Sequence, residues 1–215
     1  MSGRLLLLLA LVTAGPARAQ DAAAIVGRSS RVYRSLTSLR ADFQQVIQNP
    51  MIDSSESRGT LMQAGDSKFA MRFSEPPGEA IVIDGAHVWV YTPSTVPGQV
   101  IRLSVPSGGP VYGYNMLAWL LDRPAERYKA TFVKDDRLNG RSMDVIELVP
   151  AVPDLPFERA VVWLDRQDAL PRRLDITERG GSRRMLTLSK LQVNRTLPDR
   201  SFTFEVPQGV RVVDQ

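Results

Sequence analysis

Cysteine is absent from all 215 residues and histidine occurs once. Without cysteine no disulfide can form and no thioether-linked lipid can be attached, so apolar burial and backbone pairing alone must hold the fold. The patterns Gly-x-Ser-x-Gly, His-Glu-x-x-His and the phosphate loop are missing too, which removes the familiar hydrolytic, zinc and nucleotide chemistries. His87 lies near Asp84 and could head a hydrolytic relay with a distant serine. It follows a two-residue turn at the start of a strand, however, where a solvent-facing turn residue is expected. Asp135 and Asp136 precede Asn139-Gly140 and read as turn solvation rather than as an acid-base pair or a metal site. The sequence therefore predicts no catalytic residue, no metal and no cofactor. A basic face with interleaved aromatics is also lacking: 27 Lys and Arg oppose 23 Asp and Glu along the whole chain, so nucleic acid is not an expected partner.

A long hydrophobic run is the next absence. Leu5 to Val12 is too short to span a bilayer. It follows Arg4 and precedes Ala17-Arg18-Ala19, the small-x-small pattern that a signal peptidase cuts. Residues 1–19 read as a cleavable signal peptide, residues 20–215 as one domain, and the destination as the periplasm, in soluble form. Arg4 and Arg18 are the only charged residues of the leader, so cleavage takes the formal charge from +4 to +2.

What is present is mostly alternation. Ala41, Phe43, Gln45 and Ile47 oppose Asp42, Gln44 and Val46, and Phe69, Met71 and Phe73 oppose Lys68, Ala70 and Arg72. Further runs lie at Glu79–Ile83, His87–Thr92, Val100–Val105, Tyr128–Lys134, Ser142–Val149, Arg159–Leu164, Arg172–Thr177 and Arg184–Val193, giving about ten strands. Asp84-Gly85, Asn139-Gly140 and Gly180-Gly181 are hairpin signals, so consecutive strands should pair antiparallel as a meander. Two stretches read as helix. One runs from Asp21, a plausible N-cap, to about Thr37, with Ile25, Val26, Val32, Tyr33 and Leu36 at helical spacings. The other runs from Tyr114 to Leu121 after the loop Pro106–Pro110 and is almost wholly apolar, as a buried segment or a lid would be. A large sheet must curl. The expected fold is mainly β (α+β): an incomplete, half-open antiparallel barrel with an N-terminal helix and a short helical lid over a hydrophobic cavity. Six methionines beyond Met1 and three tryptophans suit a cavity for greasy ligands of variable shape, although Met62, Met71, Met143 and Met185 are equally ordinary core residues.

The order of these motifs carries a resemblance. Leu39-Arg40-Ala41-Asp42-Phe43-Gln44-Gln45, Gly59-Thr60-Leu61, Phe69 to Pro76, Ile81 to Gly85, Val88 to Pro93 and the closing Phe202 to Val210 resemble the LolA-type periplasmic outer-membrane lipoprotein carriers. The resemblance implies a non-enzymatic chaperone for protein transport in outer-membrane biogenesis. Such a carrier takes acylated lipoproteins from an inner-membrane ABC transporter and delivers them to an outer-membrane lipoprotein acceptor. By position it also implies that Phe69 and Met71 face the cavity and that Met116 to Leu120 form the lid. The expected acyl-chain cavity comprises Phe43, Phe69, Met71, Phe73, Ile83, Trp89, Tyr91, Met116, Leu117, Trp119 and Leu120, the expected state is a monomer, and Phe69→Glu is expected to stop cargo handling in a protein that still folds. The family's lid-latching arginine has Gly65 in its place here, with Arg58 and Arg72 as substitutes to consider. A lipid-binding envelope-stress sensor or a glycolipid shuttle of the same fold is the alternative.

Overall fold

A computed structural model describes residues 16–105, 113–151 and 155–215. Most of the leader and the Pro106–Pro110 loop lie outside these residues. Helix α1 (Pro16–Arg34) is followed by β1 (Ser38–Asn49), β2 (Ile52–Ala64), β3 (Lys68–Glu75), β4 (Ala80–Ile83), β5 (His87–Tyr91) and β6 (Gln99–Ser104). Two short helices, α2 (Met116–Leu121) and α3 (Pro124–Arg127), lead into β7 (Tyr128–Leu138), β8 (Arg141–Pro150), β9 (Phe157–Asp165), β10 (Pro171–Glu178), β11 (Arg183–Val193) and β12 (Arg211–Asp214).

The strands form one twelve-stranded sheet in the order β12-β6-β5-β4-β3-β2-β1-β11-β10-β9-β8-β7. The expected meander is present as two runs, β1 to β6 and β7 to β11, and breaks between β6 and β7, which stand far apart in the sheet. The runs are joined by antiparallel pairing of β1 with β11, from Leu39 opposite Val193 to Gln48 opposite Arg183. β12 then adds to β6 in parallel. Since β7 and β12 are the two ends of the order and do not pair, the barrel is not closed. At the β7–β8 turn Asn139 (φ 50°) and Gly140 (φ 78°) both take positive φ, as a tight hairpin of this kind demands.

Two strands escape the alternation rule. β2 reads Ile-Asp-Ser-Ser-Glu-Ser-Arg-Gly over its first eight residues, a polar run extended only because β1 pairs with it along its whole length. β12 is four residues long and is held by β6. α1 also begins earlier than expected. Pro16 fits the first position of a helix and Ala17 to Gln20 are good helix formers, so Asp21 lies inside the helix rather than at its N-cap.

One face of the sheet, the inner one, packs on the helices. Ala22, Val26 and Tyr33 of α1 are buried at helical spacing with Ser29 and Ser30. Against them lie Phe43, Leu61, Phe69, Met71, Val88, Ile146, Leu148, Val162, Leu174, Ile176 and Leu188 from eight strands, and all of α2 except Ala118. The other face carries a smaller cluster of Met62, Ala70, Ala80, Val82 and Phe202. The chain after β11 lies over it with Leu197, Phe202 and Phe204.

Candidate functional site

The inner face is where an apolar ligand would have to go, and the structure brings most of the expected residues there. Phe43, Phe69, Met71, Ile83, Met116, Leu117, Trp119 and Leu120 belong to one buried cluster, with Phe73 packed against it. Trp89 and Tyr91 do not. On β5 the inward positions are taken by Val88 and Val90, so strand alternation turns Trp89 and Tyr91 to the outer face. There both rings meet Phe204, each at 5.6 Å between centroids. The sequence offered alternation on both sides of β5 and did not say which side faced the helices.

Phe43 and Phe73 are cross-strand neighbours through Gly59, which pairs with both. A Cβ at Gly59 would sit 2.0 Å from the Arg72 carbonyl oxygen, so only glycine allows β2 and β3 to approach here. With no side chain between them the two rings meet edge to face, 5.1 Å apart at 83°. A cavity of about 810 Å³ is lined by this row, by polar residues on either side of it such as Asp42, Thr60, Arg72 and Ser189, and by Leu138 and Asn139 of the β7–β8 turn. β1–β3 and that turn are far apart in the strand order, so one cavity touching both records how strongly the sheet curls. A second cavity of about 700 Å³ lies between Ala24, Ile25 and Arg28 of α1 and residues 132–135 of the edge strand β7.

The helices are tied to the sheet by few polar contacts, and sequence reasoning missed them. Gln63, on the inward side of β2 two residues after Leu61, is buried. Its Oε1 accepts from the Tyr33 hydroxyl of α1 and, at 3.0 Å, from Asn115 Nδ2, while its Nε2 donates to the Gly65 carbonyl at 3.1 Å. Asn115 caps α2 by accepting from Ala118 N at 3.1 Å. Burial pushes the Tyr33 hydroxyl well above its ordinary pKa, so it stays a donor. At the other end of α2, Ser30 Oγ donates to the Leu121 carbonyl at 2.6 Å. Arg127 donates to the Trp119 carbonyl at 2.9 Å and stacks its guanidinium 4.6 Å from that ring. The signal available beforehand was a glutamine on an otherwise apolar strand face.

Gly65 itself, at φ 56° in the β2–β3 turn, has nothing within 4 Å of where a Cβ would be. The sheet-to-lid contact sits at Gln63 instead. Neither arginine considered as a substitute reaches the helices: Arg58 pairs with Glu75 at 2.5 Å, and Arg72 donates to the Thr203 carbonyl at 2.5 Å.

The polar residues singled out for chemistry have structural partners. Asp84 accepts from Ala86 N, His87 N and Trp89 Nε1 at 2.7–2.8 Å, and His87 Nδ1 stands 3.8 Å from it. Burial would raise the Asp84 carboxyl, but these donors outweigh it and hold the group below its usual range. Asp135 and Asp136 lie within β7 rather than in a turn. Asp135 pairs with Arg166, and Asp136 accepts from Trp163 Nε1 at 3.0 Å, which with Lys134 lowers its pKa to about 2. Among the described residues no three His, Cys, Asp or Glu side chains converge as a metal site would require, and no helix is long and apolar enough to cross a membrane.

Comparison with known proteins now decides the family. Residues 34–205 match the family described as Outer membrane lipoprotein carrier protein LolA. The chain belongs to that family. An outer-membrane lipoprotein carrier protein from Chromohalobacter salexigens is 25% identical over 199 residues, covering 92% of this chain and 90% of that protein. Among solved structures, an uncharacterized conserved protein from Thermus thermophilus superposes with a TM-score of 0.58 at 15% identity, covering 91% of this chain and 100% of the other. The Pseudomonas aeruginosa MucA/MucB complex gives 0.52 at 14% identity, covering 90% and 63%. At such identities the structural likeness speaks to the fold alone. This LolA-family chain thus shares an open β-sheet architecture with proteins of several descriptions.

Proposed function

We propose that this chain is a periplasmic carrier of acylated lipoproteins. It takes them from an inner-membrane ABC transporter, shields their acyl chains against the inner face of the sheet, and passes them to an outer-membrane acceptor. No reaction is catalysed, and residues 1–19 are the export signal. The observation that carries this reading is the inner apolar cluster itself, covered by two helices that polar contacts at Gln63 and Ser30 fasten to the sheet and to each other. An acyl chain in water costs about 0.8 kcal/mol for every exposed methylene. Replacing the α1 and α2 side chains by acyl chains keeps the sheet's inner face covered, so uptake exchanges one apolar cover for another and release stays within reach.

The test is release from membranes. Spheroplasts charged with a newly acylated lipoprotein are incubated with the purified chain, and the supernatant is examined for a one-to-one complex. ATP-dependent appearance of that complex supports the carrier. Lipid that co-purifies with the protein in the absence of any release overturns it in favour of a lipid sensor or a glycolipid shuttle.

A further inference from the structure

The two helices over the inner face are not held equally. Helix α2 is fastened at its start through Asn115, which bonds Gln63 and Ala118, and at its close through Leu121 and the Trp119 carbonyl. Among the described side chains, α1 reaches the rest of the fold by hydrogen bonds from Arg28, Ser30 and Tyr33, all in its second half. The Arg28 bond, to the Arg166 carbonyl, is long at 3.5 Å. Ahead of these residues α1 is held by apolar burial at Ala22 and Val26. Removal of residues 1–19 as an export signal would make Gln20 the first residue, so no upstream chain would restrain that half.

The loosely held half borders the cavity of about 700 Å³ between α1 and β7. Ala24, Ile25, Phe132 and Val133 form its apolar lining, and Ile25 and Phe132 also pack against the inner cluster, so the cavity leads toward the buried core. Four consecutive residues of β7, Phe132 to Asp135, line it, because β7 is the last strand of the order and shifts register between Phe132 and Lys134. Val133 is the extra residue of that bulge and is 50% exposed. The bulge and the charges of Lys134, Asp135 and Arg137 discourage an added strand on this edge, whereas an acyl chain needs no backbone partner.

We propose that this seam, rather than the α2 side, is where an acyl chain enters, an inference that rests on the carrier reading above. The first methylenes of the chain occupy the cavity, α1 swings about its Ser30 and Tyr33 contacts, and the chain slides past Ile25 and Phe132 to the inner face. Apolar contacts of Ala22 and Val26 are then exchanged for contacts with methylenes, which keeps the step reversible. The charges at the mouth balance: Arg166 pairs with Asp135 and Asp144, and Lys134 pairs with Asp136. Such a mouth suits a chain whose head is uncharged, as the ester and amide links of an acylated protein are, rather than a phosphate or a free carboxylate.

Because the chain has no cysteine, a link can be placed at the seam alone. Ala24→Cys and Val133→Cys, at exposed positions that both line the cavity, are joined by a bis-maleimide containing a reducible disulfide. Uptake of the methyl ester of a conjugated polyene fatty acid is followed by its fluorescence. The expected result is uptake slowed at least about tenfold by the link and restored when a reductant cuts it. Unchanged uptake in the linked protein overturns the seam and leaves the carrier standing. No uptake by the unlinked protein overturns the carrier reading and the seam with it. Should the pair fail to link or to fold, Val133→Asp, which charges the mouth at an exposed position, is expected to slow the same uptake several-fold; uptake at the native rate then overturns the seam.

Discussion

The two faces of this sheet are covered in different ways. The inner face is covered by α1 and α2, separate elements held down by apolar packing and by polar contacts at Gln63 and Ser30. The outer face is covered by the chain's own last residues. These are tied by Arg72 to Thr203 and Lys68 to Asp199, and by β12, whose Asp214 receives Arg102 at 2.6 and 3.0 Å. A helix on polar pins can be lifted without breaking the sheet, whereas removing the C-terminal segment breaks a backbone ladder. The proposed carriage of acyl chains thus asks the inner cover to move and the outer cover to serve as the framework.

The largest expected effect breaks that division outright. Phe69 is only 2% exposed, so Phe69→Glu places a carboxylate in the closed core and should cost more than about 4 kcal/mol, unfolding the chain rather than leaving it folded without cargo. A native circular dichroism spectrum for this variant would show the inner face to be wetter than described. Phe157→Ala, beneath Trp119 and Tyr128, should cost about 3–5 kcal/mol in urea denaturation. Phe202→Ala on the outer face should cost nearer 3 kcal/mol, with hydrogen exchange rising first in β12 and residues 197–204.

Gln63→Leu sharpens the comparison. It leaves the Tyr33 hydroxyl and the Asn115 amide without their shared acceptor and should cost about 1–3 kcal/mol. Amide exchange should quicken in α1 and α2 while β12 stays protected; equal loosening of both covers would falsify the division of labour. Gly59→Ala acts on the sheet that both covers share. Its Cβ collides with backbone, and a loss of about 1–3 kcal/mol in thermal or urea unfolding is expected.

Acid should give the smallest and most local change. The carboxyls of Asp84 and Asp214 lie below their usual range, Asp84 against its own burial because Trp89 and two backbone amides donate to it, and Asp214 because Arg102 does. Depressed carboxyls lend stability above their unfolded pKa of about 4 and lose it as pH falls through the lower folded values. Asp144 has the opposite sign, since burial raises it. Asp136 on β7 and Asp165 at the end of β9 are depressed as well, so lowering pH from 4 toward 2 should loosen β5, β6 and β12 at one end of the sheet and the β7–β9 end at the other before the centre at β1 and β11, as read by site-resolved exchange.

Much of this was legible in the sequence because period-two alternation survives wherever one face is greasy and the other wet. Strands β1, β3 and β7 to β11 are of that kind, while the lid helix was legible as a short, almost wholly apolar run after a loop. β2 was not, since Asp53 to Arg58 owe their extended form to β1 rather than to their own preferences. The side of each strand was the harder question. β5 carries Val88 and Val90 on one face and Trp89 and Tyr91 on the other, both apolar, and only the placement of Phe204 shows which pair looks outward. Gln63 was invisible for another reason: a hydrogen bond between residues from α1, β2 and the cap of α2 leaves no periodic trace.

The pairing of β1 with β11 has a consequence in time. The first strand made is completed by almost the last, so Leu39 must wait for Val193 before either meander gains its neighbour. Sheets built on such distant contacts form slowly. A chain made from its N-terminus cannot close this sheet until residues 183–193 are available to β1. The topology thus makes completion of the sheet one of the last events in the life of the new chain, and leaves β1 with one neighbour, β2, until then.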